Sequence, residues 1–355
     1  MISISLCMIV KNEEVNLANC LNCAKEFADE IIIIDTGSED KTKKIARKFT
    51  DKIYDFAWVD DFAAARNFAF SKAGMEYQMW LDADDIIEQE EIAKINQLKK
   101  NLDPATDIVT MQYATSFDEN RRPAFTYTRG RWFKRSKGFA WVDPVHEYIP
   151  LYGKIFNSDI MISHNKSKGY AGRNLKIYEK MIASGKELSP RSLYYYAREL
   201  RDNGREEEAV EYFRRFLATK RGWIEDNITA CNALGQCLSN LGKKEEALET
   251  WMRSFIYDTP RGEICCSIGY LYKERQDWRR AIFWFDLAAK LIKPDSMGFI
   301  NHEYWDYIPF LELCVCYSKI GDIEKSIEHN DKAAEIRPNS AAVKYNKEYF
   351  ASLKE

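Results

Sequence analysis

The sequence shows no surplus of one charge. Lys and Arg number 52 against 55 Asp and Glu, so the overall balance gives no electrostatic reason to expect nucleic acid as the principal partner. A long apolar run is also missing. The stretch from Ile2 to Val10 is interrupted by serines and falls far short of the roughly 20 residues that cross a bilayer. It has no basic flank and no small-residue cleavage site, so neither a signal peptide nor a transmembrane anchor is expected, and the expected compartment is the cytoplasm. No Gly-x-Gly-x-x-Gly follows the first predicted strand and no Gly-x-x-x-x-Gly-Lys-Ser/Thr occurs, which argues against a dinucleotide enzyme and a P-loop nucleotidase. The nine cysteines are odd in number and scattered, as in a reducing compartment. Cys20-Leu21-Asn22-Cys23 has no second Cys or Cys/His pair near it, so packing on a helix is expected there rather than zinc or redox chemistry.

What is present suffices for two domains: 355 residues, of which 46% are hydrophobic. The first half alternates. Ile2 to Val10 reads as a strand, Val15 to Phe27 as a helix, and Glu30-Ile31-Ile32-Ile33-Ile34-Asp35 as an unbroken apolar run of the kind a buried parallel strand requires. A helix over 42–49, a short strand over 52–56, a helix over 62–73 and a strand at Met79-Trp80-Leu81 follow. Strands alternating with helices imply a parallel sheet, which binds ligands beyond the carboxyl ends of its strands. At those ends stand Asn12, Glu13 and Glu14, then Asp35, then Asp82-Ala83-Asp84. Carboxylates crowded at a strand end repel one another unless a cation neutralises them, so the last cluster reads as a metal and diphosphate site. Asp85, just before Ile86-Ile87-Glu88, is expected to cap a helix.

Four ordered motifs carry a resemblance. Cys7-Met8-Ile9-Val10-Lys11-Asn12-Glu13-Glu14, Ile33-Ile34-Asp35-Thr36-Gly37-Ser38, Ala65-Arg66-Asn67-Phe68-Ala69 and Leu81-Asp82-Ala83-Asp84 together resemble a family 2 glycosyltransferase of the GT-A fold over about residues 1–170. The resemblance implies an α/β catalytic domain and a UDP-sugar donor, UDP-glucose or UDP-N-acetylglucosamine. It implies a nucleotide side built from Asn12, Glu14, Asp35, Ser38, Arg66, Asn67 and Asp82, with Asp35 at the uracil and Asp82 at the ribose. Helix capping is the competing reading of Asn12 and Glu14, second to a place in the nucleotide pocket. Asp84 is implied as a ligand of Mn2+ or Mg2+. Further on, Trp141-Val142-Asp143-Pro144-Val145-His146-Glu147 and His164 hold two of the four histidines. They resemble a bacterial subgroup that includes lipopolysaccharide-core glucosyltransferases and peptide S-glycosyltransferases. Inversion, implied by the family, needs a base on the acceptor side. Glu147, shielded by Phe139 and Trp141, is the leading candidate, Asp143 the alternative and His146 its positioner. His164 is expected to complete the metal shell, since neutral imidazole suits manganese.

From about Leu193 strand signals give way to helical periodicity. Ala197 and Ala209, Gly235 and Ala247, Gly269 and Ala281, and Cys314 and Ser326 are four pairs of small residues, each 12 apart. The pattern resembles tetratricopeptide repeats, with a helical linker over 171–192 and a repeat domain over 193–355. Successive second members lie 38, 34 and 45 residues apart against a usual period of about 34, which calls for an insertion around Pro294 to Pro309. Its aromatics, Phe299 to Tyr307, would line a peptide groove, form an oligomer interface or fill the core between repeats. The expected function is metal-dependent transfer of a hexose or N-acetylhexosamine to a Ser/Thr or Cys side chain of a protein or peptide, as in S-glycosyltransferases of glycosylated bacteriocins and flagellin O-glycosyltransferases, with a homodimer through the repeats among the expected assemblies. A lipid-linked or cell-surface saccharide is the alternative acceptor, and an inactive repeat scaffold the third reading.

Overall fold

The computed structural model describes residues 1–165 and 172–353, which divide into two units: 1–116 with 126–186, and 117–125 with 187–355. The boundary expected after residue 170 lies outside the described residues. Among those described, no helix is long and apolar enough to cross a membrane.

In the first unit, β1 (Ile4–Val10) pairs in parallel with β2 (Glu30–Asp35) and with β4 (Tyr77–Trp80), while β3 (Ile53–Asp55) lies parallel to β2. The apolar run of β2 is buried along its whole length because both faces of the sheet are covered. Ile31 and Ile33 pack with Leu17, Cys20 and Leu21 of α1 (Leu17–Ala24) and with Ile92 and Ile95 of α4 (Gln89–Asn101). Ile32 and Ile34 point the other way, onto Ala63, Ala69 and Phe70 of α3 (Phe62–Ser71). Helix α2 (Thr42–Ala46) is only five residues long, shorter than its sequence pattern predicts.

The sheet continues through longer strands. Its order is β3-β2-β1-β4-β7-β6-β8-β5, with β5 (Asp85–Ile86), β6 (Ile108–Phe117), β7 (Pro123–Lys134) and β8 (Ile155–His164). The expectation that Asp85 caps a helix is overturned here. α4 begins four residues later, and Asp85 instead enters β5, paired antiparallel with His164 of β8. One further helix, α5 (Arg173–Ala183), falls in the stretch expected as a helical linker and groups with this unit.

The second unit is helical, from α6 (Pro190–Asp202) and α7 (Glu206–Ala218) through α8 (Ile224–Asn240), α9 (Lys244–Arg253), α10 (Gly262–Glu274) and α11 (Trp278–Lys290) to α12 (Tyr307–Lys319), α13 (Ile323–Ile336) and α14 (Ala341–Ser352). The small residues lie where paired helices meet. Ala197, Ala209, Ala247 and Ala281 are fully buried, and the Ser326 hydroxyl donates to the Cys314 carbonyl at 2.7 Å. The insertion occupies residues 291–306 and contains a 3-10 turn at His302–Trp305. Pro309 falls inside α12, in the first turn, where its missing N–H costs nothing.

A Cβ at Gly235 would stand 2.3 Å from Trp251 Nε1. Gly235→Ala therefore sets two effects against each other: a gain of about 1 kcal/mol in helix propensity and an overpacking cost of about 1–3 kcal/mol. Because Trp251 is fully enclosed, the net expectation is a loss of stability, read as a lower urea midpoint with unchanged slope. A higher midpoint would show that α8 and α9 separate at little cost.

Candidate active site

The carboxyl ends of β1, β2 and β4 open onto a cavity of about 460 Å³ in the first unit. Of the residues singled out by sequence, Arg66, Asp82, Asp84, His146, Glu147 and His164 line it. Asn12, Glu14, Asp35, Ser38, Asn67 and Asp143 are placed differently. The Asn12 N–H donates to Ser38 Oγ at 2.9 Å while its side-chain oxygen accepts from the Glu39 N–H at 2.8 Å, and Glu14 Oε2 accepts from the Lys41 N–H at 3.2 Å. These bonds stitch the loop after β1 to the loop after β2. Neither residue caps α1. Asn12 takes a left-handed φ of 55°, a conformation Asn tolerates better than most residues. Asn67 closes its amide on the main chain of Trp141 in both directions, at 2.8 and 2.9 Å. Asp143 sits at φ 68° beside the cavity wall without lining it.

Asp35 is buried at the end of β2. Oδ1 accepts from the N–H groups of Gly37 and Ser38 at 3.0 and 2.9 Å, whereas Oδ2 has no partner among the described residues. An unpaired buried carboxylate oxygen is costly, so a donor is expected from a ligand.

Arg66 is drawn into the site by α3, whose first turn is fixed by the Asp61 side chain accepting from the Ala64 N–H at 2.8 Å. Nη2 donates to Asp82 at 2.8 Å and Nε to Glu147 at 2.6 Å, with the guanidinium 4.8 Å from the ring centres of both Trp80 and Trp141. Nη1 is buried without a partner. Burial opposes ionisation of Asp82, but the Arg66 charge outweighs it and holds the carboxyl below its ordinary range. Glu147 is thus not the apolar-shielded carboxyl that its neighbours in sequence suggest: its Oε1 is committed to Arg66.

Behind Asp82 lies a network with no signature in the local sequence. Asp85 and Arg131 are both fully enclosed, Oδ2 to Nη1 at 3.3 Å. Asp85 Oδ2 also accepts from the Asp82 N–H at 3.0 Å, and Oδ1 accepts from the Tyr113 hydroxyl at 2.6 Å. His164 Nδ1 lies 3.2 Å from Asp85 Oδ1, 2.7 Å from the Tyr113 oxygen and 3.5 Å from Asp84 Oδ1. Arg131 is stacked on Trp80, 3.7 Å from its ring centre, and lies 4.5 Å from that of Tyr113. Burial, with the Asp82 and Asp85 charges, pushes the Asp84 carboxyl up to about 6, against the pull of His164. His164 is raised too: burial opposes this, but the bond to Asp85 and the surrounding carboxylates prevail. Ligand atoms of Asp84, Asp85 and His164 lie within 4.8 Å of one another. Carboxylate oxygens with one imidazole make a donor set suited to Mn2+ or Mg2+. The excess negative charge around Asp84 fits a cation.

Comparison with known proteins gives this arrangement a family. Residues 5–181 match Glycosyl transferase family 2, and residues 228–254 match Tetratricopeptide repeat. The first unit is a family 2 glycosyltransferase domain. The chain is 28% identical over 312 residues to the glycosyltransferase SunS of Bacillus phage SPbeta, covering 82% of this chain and 69% of that protein. A TPR repeat-containing protein of Synechococcus elongatus is 33% identical over 150 residues, of which the match spans 42% of this chain and only 36% of the relative. An uncharacterized glycosyltransferase of Rickettsia typhi is 24% identical over 233 residues, covering 62% of this chain and 74% of the relative.

Replacing Arg131 with Met keeps much of the volume but leaves Asp85 enclosed without its counter-charge. Breaking one side of a buried pair costs about 3–5 kcal/mol. Urea unfolding of Arg131→Met followed by far-UV circular dichroism should register a loss of that order, and a loss below about 1 kcal/mol would mean that Tyr113 and the Asp82 N–H alone hold Asp85.

Proposed function

We propose that this chain transfers a hexose or N-acetylhexosamine from a UDP-sugar to a Ser/Thr or Cys side chain of a protein or peptide, in a metal-dependent, inverting reaction. The observation that carries the reading is the uncompensated carboxylate at Asp84, set in a family 2 domain beside His164 and on the rim where a nucleotide would lie. Asp84 and His164 would hold Mn2+ or Mg2+. Both oxygens of Asp85 are already engaged, by Tyr113 and His164 and by Arg131 and the Asp82 N–H, so its part is to orient His164 through Nδ1, leaving Nε2 for the ion. When bound, the ion supplies positive charge to the departing diphosphate.

The remaining roles belong to the chain itself. Asp35, through Oδ2, would accept from the base, and Asp82, fixed by Arg66, would accept from the ribose. The free Nη1 hydrogens of Arg66 are directed to an oxygen of the donor, which guanidinium binds in a fixed geometry. The acceptor oxygen or sulfur forms its bond to the anomeric carbon as the carbon–oxygen bond to UDP breaks, and the acceptor proton passes to a base. Glu147 lines the cavity and Asp143 does not, which favours Glu147, with Arg66 fixing one of its oxygens and His146 beside it. The tetratricopeptide half supports a polypeptide acceptor, since solenoids present extended surfaces to protein chains.

UDP release from UDP-glucose and UDP-N-acetylglucosamine, with and without Mn2+, and transfer to peptides carrying Cys, Ser or Thr, test the reading. Asp84→Ala should lower the Mn2+-dependent rate on the order of 100-fold or more. Full metal-dependent activity in that variant would remove Asp84 from the site. Glu147→Gln should reduce transfer to a hydroxyl by about 10²–10⁴, whereas normal transfer by Glu147→Gln together with loss in Asp143→Asn would move the base to Asp143.

A further inference from the structure

Three tryptophans line the cavity of the first unit: Trp58, Trp80 and Trp141. Two have their indole N–H engaged. Trp58 Nε1 donates to Asp60 Oδ1 at 2.9 Å, and Trp80 Nε1 donates to the Gly130 carbonyl at 2.8 Å. Elsewhere in the chain Trp132, Trp251 and Trp305 donate as well, to the Met79 sulfur, the Asn232 carbonyl and Glu263 Oε1. Trp141 differs from all of these. The residue is only 5% exposed, and its Nε1 has no acceptor among the described residues. A buried N–H without an acceptor is rare and costly, and at a cavity wall a ligand can supply the missing oxygen.

The main chain here is fixed. Asn67 clasps Trp141 in both directions, and Val142 and Tyr148 exchange N–H···O bonds of 2.9 and 3.1 Å that close the loop carrying His146 and Glu147. The Trp141 ring packs edge to face with Trp80 and Phe70, ring centres 5.2 and 5.9 Å away, and the Arg66 guanidinium is 4.8 Å from its centre. That guanidinium holds Asp82, assigned to the ribose, through Nη2 and Glu147, assigned to the acceptor proton, through Nε. The donor hexose has to lie between nucleotide and base, because its anomeric carbon is attacked there. Trp141 therefore borders the hexose, where an indole offers its apolar ring to the sugar's C–H face and one N–H donor to a hydroxyl oxygen.

We propose that Trp141 is a specificity residue for the donor sugar, its Nε1–H donating to one hydroxyl oxygen of the hexose. The inference rests on the UDP-sugar reading above. Nε1 has no surface open to solvent, so the sugar engages it through a small turn of the ring about its Cα–Cβ bond. Burial has already taken water from the N–H, so a hydroxyl that meets it gives up only its own hydration. A hexose lacking that hydroxyl leaves the N–H unanswered. Trp141 thus selects among hexoses through a bond that UDP alone does not make.

The test is isothermal titration calorimetry on the full chain with Mg2+. UDP, UDP-glucose, UDP-N-acetylglucosamine and the monodeoxy analogues of whichever sugar nucleotide binds are compared in wild type and in Trp141→Phe, which keeps an aromatic ring against Arg66 and removes the N–H. In wild type at least one monodeoxy analogue should bind about tenfold more weakly than its parent. In Trp141→Phe that difference should vanish through weaker binding of the parent, while UDP binds both proteins alike. Equal binding of every analogue by wild type, or the same discrimination in both proteins, overturns the proposal; a variant that loses stability yet keeps the discrimination places the N–H on the ring face of Trp80 or Phe70 instead. If Trp141→Phe does not fold, indole proton–nitrogen correlation spectra of the wild type decide. The parent donor should move one indole N–H downfield relative to UDP and the weak analogue should not, and the lack of such a shift overturns the proposal. A wild type that binds neither sugar nucleotide sinks the UDP-sugar reading and this one with it, whereas binding without dependence on any hydroxyl sinks this one alone.

Discussion

Negative charge gathered at the end of β4 is the constraint that arranges the first unit. Asp82, Asp84 and Asp85 occur within four positions, and each meets a different fate. Asp82 is answered by Arg66, which α3 delivers from below the sheet. Asp85 is answered by Arg131 on β7, deep in the interior. Among the described residues Asp84 is paired with no guanidinium, only with an imidazole 3.5 Å away. Two of the three carboxylates are thereby paired with a guanidinium, and among the described residues the third is paired with none. Burial first, and then the neighbouring Asp82 and Asp85 charges, raise the Asp84 carboxyl to about 6.

The buried Arg131–Asp85 pair is poorly explained by stability alone. Taking two charges out of water costs several kcal/mol per ion, and apolar residues of similar volume often do as well or better. Arg131 also leaves Nε and Nη2 without acceptors. What the pair does achieve is orientation. Asp85 binds the N–H of Asp82, the hydroxyl of Tyr113 and Nδ1 of His164 at once, so the strand end, β6 and β8 are registered against one another through one carboxylate. A site that must hold several groups in a fixed relation gains more from such a node than from an apolar plug.

This node also marks where sequence reading fails. The parallel strands were legible because burial on both faces leaves an unbroken apolar run, as in Ile31 to Ile34, and the rim was legible because strand ends face ligands in such sheets. Asp85 was not. Local rules assign an Asp ahead of Glu88 to a helix cap, but pairing with His164, 79 residues away, draws it inside, and no local pattern announces that pairing. Tyr113 and Arg131 were hidden for the same reason, each being one polar residue in a strand whose partner lies elsewhere in the chain. Asn12, Ser38 and Asn67 show a different limit. Their motifs identified residues that matter, but the side chains stitch loops and support Trp141 instead of lining the cavity. A motif fixes the residue type and not the direction in which it points. In the helical half the period of small residues was legible because close helix packing admits nothing larger at Gly235 or Gly269. The insertion could be located as well.

The cavity of the first unit keeps its electrostatic imbalance at one carboxylate. Asp82 and Glu147 share Arg66 and Asp85 holds Arg131, while among the described residues Asp84 has only His164 beside it. The imbalance survives because the competing partners are already bound: Asp85 to Arg131, and Arg66 to Asp82 and Glu147. Exposed ion pairs are worth little, because water and salt compete for them. Imbalances inside a partly enclosed cavity are different, since an incoming ligand is the only efficient means of relieving them. A catalytic unit that pairs its other carboxylates with guanidinium groups and leaves Asp84 with one imidazole is prepared for a cationic ligand at that point.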